Sequence, residues 1–131
     1  MEDPVVGLHI TYGTTRFAPG LPAIVALGPE GLNIDVASHE YVHTEIAERS
    51  SVLKRTYRIP TWFDEGIAMQ VDHRDAFSME ALATYGRDQN LDDLFLAKIA
   101  SPELFFRTDE RGKVHYAFAR CVVGRWLKDE E

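Results

Sequence analysis

His39-Glu40-Tyr41-Val42-His43, preceded by Asn33-Ile34-Asp35-Val36-Ala37-Ser38, is the stretch from which the rest of the chain is read. Val36, Ala37, Val42 and Ile46 supply an apolar face, and Asn33 or Asp35 supplies an N-cap. The pattern predicts a helix over residues 34–49. On a helix, positions i and i+4 share a face one turn apart. Two imidazoles placed in that way can grip one metal ion, and the glutamate beside the first can act on a water that the ion activates. The competing interpretation is an exposed polar helix face.

Two histidines leave a zinc ion short of ligands, since a catalytic zinc takes three protein ligands and keeps a position for water. The third ligand should come from a second helix. Pro60-Thr61-Trp62-Phe63-Asp64-Glu65-Gly66-Ile67-Ala68-Met69-Gln70-Val71 reads as that helix, with Thr61 and Asp64 spaced as a capping box. Trp62, Glu65, Ala68, Met69 and Asp72 fall on one stripe. Glu65 lies 22 positions after His43 and is followed by Gly66, whose missing side chain allows a close helix approach. Inward-facing His39, Glu40, His43 and Glu65 would be costly to bury unless a cation offsets them.

An H-E-x-x-H followed by Pro-x-Trp-Phe-x-Glu-Gly-x-Ala resembles the gluzincin clan of zinc metallopeptidases, in particular the short peptidase MA-like or minigluzincin type. The matching residues are His39, Glu40, His43, Pro60, Trp62, Phe63, Glu65, Gly66 and Ala68, and the resemblance covers positions 23–72. It implies a zincin-like fold in which His39, His43 and Glu65 bind Zn2+. Glu40 would be general base and then acid. Tyr116 would be the donor that steadies the oxyanion, with His115 as runner-up. It also implies that the strand over residues 23–27 rims a cleft and pairs with an extended peptide. Where thermolysin-like members carry an aspartate four residues after the glutamate ligand, this chain has Met69. Asp72 and Asp35 are the carboxylates left for that supporting role.

Elsewhere the chain reads as strands first and helices after. Residues 5–12 alternate as a half-buried strand, with His9 on its polar side. Gly13-Thr14-Thr15 and Ala18-Pro19-Gly20 are turn material, Ala23 to Leu27 is a short apolar strand, and Gly28-Pro29-Glu30-Gly31 is a loop. Arg49 to Arg58 reads as a solvated helix end plus loop. Ser78 should cap a helix over 79–87 and Asn90 one over 91–99. Ser101-Pro102 should start another, and the last should run over 114–128. Phe105, Phe106 and Cys121 read as packing residues. The fold class is therefore α+β, a small N-terminal sheet packed on a helical layer, in a single domain spanning residues 1–131.

Net charge is −7, which argues against a nucleic-acid partner. The single Cys121 forbids an internal disulfide and fits a reducing compartment. No apolar run approaches membrane-spanning length, and Met1-Glu2-Asp3-Pro4 is too acidic for a secretory leader. A cytoplasmic protein and an excised domain of an exported one both satisfy these features. The function expected from the sequence is zinc-dependent hydrolysis of peptides or unfolded proteins, with an endopeptidase favoured. The alternatives are a zinc-binding module that is silent or autoinhibited, and hydrolysis of another amide.

Overall fold

β1 (Gly13–Arg16) and β2 (Ile24–Leu27) pair antiparallel, with Gly13 opposite Leu27 and Thr15 opposite Val25. They belong to a computed structural model of the chain that describes residues 12–87, 89–106 and 110–130. The strand expected over 5–12, with His9, lies outside those residues except for Tyr12. β2 falls where its apolar run predicts. β1 does not, because Gly13-Thr14-Thr15 is strand rather than turn. The reversal sits further on, where Leu21 N–H donates to Ala18 O at 3.1 Å and Gly20 adopts φ +76°, a conformation open to glycine without a Cβ penalty. Relieved of the turn, the β-branched Thr14 and Thr15 take up extended backbone.

Among the described residues the protein is α+β and mostly helical, with this two-stranded sheet and seven α-helices. No helix among them is long and apolar enough to cross a membrane. Internal packing divides the chain into two compact units, Met1–Arg58 and Ile59–Glu131.

In the first unit the sheet lies against α1 (Ile34–Ser50), and α2 (Val52–Arg58) packs back on α1. Asn33 is the N-cap, its side-chain oxygen accepting from Val36 N–H at 3.0 Å. Residues 29–31 tighten into a 3-10 turn before it. The chain leaves α1 through Ser51, at φ 69°, a left-handed conformation that a serine adopts at some cost. That reversal turns the stretch expected to be a loop into α2. Its polar residues are adequate helix formers. Arg55, whose guanidinium stacks 4.5 Å from the Phe17 ring centroid, anchors it.

The second unit is built on α7 (Glu110–Asp129), with α3 (Thr61–Ala68), α4 (Met79–Tyr85) and the 3-10 turn at 75–77 packed against it. The short helices α5 (Asp93–Lys98) and α6 (Pro102–Phe105) complete it. One apolar cluster gathers Leu82, Val114 and Ala117 against Phe95, Phe118 and Cys121. Another gathers Ile99, Phe105 and Ala119 against Trp62 and Tyr116. Gly66 permits a close approach, as the sequence suggests, and the neighbour is α7. A Cβ at Gly66 would lie 2.5 Å from Val123 Cγ2 and 2.7 Å from the Ala119 carbonyl oxygen.

Several helix ends differ from expectation. Thr61 is the first residue of α3, not its cap. Pro60 occupies the N-cap without a side-chain bond, and Thr61 N–H donates to Ala100 O at 2.9 Å. Ser78 caps α4 as predicted, accepting from Ala81 N–H at 3.2 Å. α5 is capped by Asp92, not Asn90, whose amide donates to Asp92 at 3.1 Å instead. α7 begins before residue 114, so Gly112 lies inside the helix, buried, at a helix-propensity cost of about 1 kcal/mol.

Candidate metal centre

The buried positions of α1 are Val36, His39, Glu40, His43 and Ala47, a stripe spaced as helical geometry requires. Such a stripe is normally apolar, yet three of these five residues are titratable. Meanwhile Ile34 and Tyr41 face outward, 78% and 65% exposed. The helix has spent its interior face on polar chemistry, which is tolerable only where each group finds partners.

Several of these partners lie within the first unit. The His39 and His43 rings stand edge to face, centroids 5.0 Å apart and 75° between planes. Thr15 of β1 donates its hydroxyl to Glu40 Oε2 at 2.5 Å and reaches the Glu40 backbone oxygen at 3.2 Å. Gly13 lies two residues earlier on the same strand face. A Cβ there would sit 3.0 Å from Glu40 Cγ, from Glu40 Oε1 and from Val36 Cγ1. β1 therefore covers the Glu40 carboxylate closely. Arg55 of α2 brings Nη2 to 3.4 Å from His43 Nδ1. A guanidinium can only donate, so Nδ1 is the acceptor in that contact.

In the second unit Glu65 is buried on α3 beside Asp64, Gly66 and Ala68. Met69 is fully buried as an apolar core residue. Asp72, also fully buried, accepts a fork from Arg74. Nε donates at 2.9 Å to Oδ1, and Nη2 at 2.6 Å to Oδ2. The Arg74 backbone N–H adds a bond to Oδ1 at 3.2 Å, and its guanidinium stacks 4.8 Å from the Phe77 ring centroid. Asp35 sits in the first turn of α1, where a carboxylate complements the helix dipole.

Tyr116 is half-buried on α7. Its ring packs 4.9 Å from that of Phe105 and 5.2 Å from that of Phe77. His115 is buried, with Nδ1 2.8 Å from the Phe105 carbonyl oxygen. A carbonyl only accepts, so Nδ1 carries the proton and the neutral ring presents an acceptor at Nε2. His115 can donate to an oxyanion through Nε2 only as an imidazolium.

The first unit also holds a cavity of about 360 Å³ between the β1–β2 connection, Thr44, Ala47 and Glu48 of α1, and the start of α2. Its walls include none of His39, Glu40 or His43.

Thr15, Gly13 and Arg55 carry no sequence signal as site residues. The alternation of Gly13 and Thr15 onto one face would mark them only once 13–16 is known to be strand. Arg55 needs α2. No family model, no curated protein and no solved structure matches this chain.

Proposed function

We propose that the chain is a zinc-dependent peptidase of gluzincin type, with His39, His43 and Glu65 as the metal ligands and Glu40 as general base. The observation that carries this is the buried stripe of α1. It puts two imidazoles one turn apart beside a carboxylate that β1 holds through Thr15. The donor set fits zinc in kind: two ring nitrogens and a carboxylate oxygen, each from a buried residue.

When bound, zinc supplies Lewis acidity, lowering the pKa of water to about 7 and polarising a carbonyl. The protein's own residues do the rest. Glu40 accepts the proton of the attacking water and returns it to the departing amine. Tyr116 is assigned the oxyanion contact, with its ring braced by Phe105 and Phe77. His115 is the weaker candidate, since its ring N–H is engaged by Phe105 O. The substrate class is an extended peptide or unfolded protein.

Zinc measured by mass spectrometry after reconstitution is expected at about one ion per chain, as a single set of three protein ligands requires. His39→Ala and Glu65→Ala should each weaken binding by roughly a hundredfold or more, since a ligand matters at least as much as its supporting residues. A wild-type chain that retains no zinc would sink the proposal.

One observation favours a silent or autoinhibited module instead, the guanidinium of Arg55 beside His43. If a metal takes the other ring nitrogen, the ring proton moves to Nδ1 and confronts an Arg N–H. Loading then requires Arg55 to swing away, against like charge. Arg55→Gln should tighten zinc binding by about tenfold in a chelator competition, the lower end of what residues behind the ligands contribute. Unchanged or weaker binding would remove the ground for the silent form.

A further inference from the structure

We propose that Thr15 is the positioning residue for Glu40, holding it through Oε2 so that Oε1 is the oxygen that takes and returns the proton. This role rests on the peptidase function proposed above.

The bond is short, 2.5 Å between Thr15 Oγ1 and Glu40 Oε2, the length of a hydroxyl donating to an ionised carboxylate. The hydroxyl has one proton to give, so the longer 3.2 Å approach to the Glu40 backbone oxygen is secondary. Among the described residues, the Thr15 hydroxyl is the one hydrogen-bond donor to the Glu40 side chain.

Oε1 is shaped by a different residue. It lies 3.0 Å from where a Cβ on Gly13 would be, so glycine spares it a crowding side chain. Gly13 and Thr15 thus divide the carboxylate, one fixing an oxygen and the other leaving room at its twin. Thr15 is itself fixed. It pairs with Val25 across the sheet, and its branched Cβ restricts χ1. In the step served, Oε1 accepts one proton from the attacking water and gives it to the leaving nitrogen. The water oxygen first adds to the peptide carbonyl carbon, the C=O pair moving to oxygen, and the C–N bond then breaks as that pair returns and the nitrogen takes the proton.

The test uses the full chain with Thr15→Val, Thr15→Ser, Glu40→Ala and the double variant Thr15→Val/Glu40→Ala. In metal-free protein, urea unfolding of the wild type, the two single variants and the double variant forms a double-mutant cycle. A coupling of about tenfold in the unfolding equilibrium is expected for a charge-assisted bond. In zinc-loaded protein, cleavage of a fluorogenic random peptide library by Thr15→Val should fall in kcat by roughly ten- to a hundredfold. KM and zinc affinity should stay within about twofold, since only the aim of the base has changed. Thr15→Ser, which keeps the hydroxyl, should recover most of the kcat.

Absence of coupling overturns the bond. A Thr15→Val variant that cleaves like wild type, or a Thr15→Ser variant no better than Thr15→Val, overturns the positioning role alone. A wild-type chain that binds zinc and cleaves no member of the library overturns the peptidase function and, with it, any role for Thr15 in turnover.

Discussion

Glu40→Gln should leave a folded protein that binds zinc and has lost turnover by roughly a thousandfold, the range in which a positioned general base contributes. The substitution replaces one oxygen by an amide nitrogen and changes little else. The Gln carbonyl can still accept from Thr15, so the contact at 2.5 Å has a neutral successor. The lost element is basicity. Zinc affinity should stay within a few-fold, which separates this variant from His39→Ala, where metal and turnover disappear together. The stability change should be small by comparison. Glutamine keeps the volume of Glu40, which is 8% exposed, and can keep the bond from Thr15. The variant should therefore unfold in urea close to the wild type. Full activity in Glu40→Gln would exclude Glu40 as the base.

Arg74→Ala should lower the unfolding free energy by about 3 kcal/mol, read by urea denaturation, because it removes the charged partner of a buried carboxylate. Asp72 is wholly excluded from solvent, while the Arg74 side chain is 24% exposed. Arg74 alone supplies both side-chain nitrogens of the fork at 2.9 and 2.6 Å. The pair ties the exit of α3 to the 3-10 turn that leads into α4, and the guanidinium also covers Phe77. Arg74→Lys should recover only part of the loss, since an ammonium cannot span both oxygens in one plane. A loss below about 1 kcal/mol, the worth of an exposed pair, would mean that Asp72 is satisfied mainly by its other contacts.

The histidine helix was legible because its determinants are local. Asn33 caps it, helical spacing sets its stripe, and the span of 34–49 differs from Ile34–Ser50 by one residue. The Ser78 cap and the proline opening α6 were legible for the same reason. β1 was not. Gly13-Thr14-Thr15 has the composition of a reversal, and only pairing with β2 makes it strand. α2 was hidden because a run from Arg49 to Arg58 offers little apolar period. Its helicity depends on packing against α1 and on Phe17, far back in the chain. For the candidate site, the residues that bear the chemistry lie within one motif, while their neighbours are remote. Thr15 lies 25 positions from Glu40, and Arg55 lies 12 from His43. Spacing rules see the first kind of relation and are blind to the second.

The stripe on α1 also bears on how the first unit comes into being. Among the described residues, the buried apolar side chains of that unit are Val36 and Ala47, while the second unit has nine, from Ala68 to Val123. Among the described residues, the fully buried apolar part of that unit is therefore small, and imidazole and carboxylate share its interior. On the function proposed here, the ion would add its ligand bonds to that small interior, so loading would also raise the resistance of the fold to unfolding. Binding then registers as stability as well as affinity, and removing the metal lowers both. Such a unit would draw stability from what it binds, in a chain whose other unit carries its own apolar core.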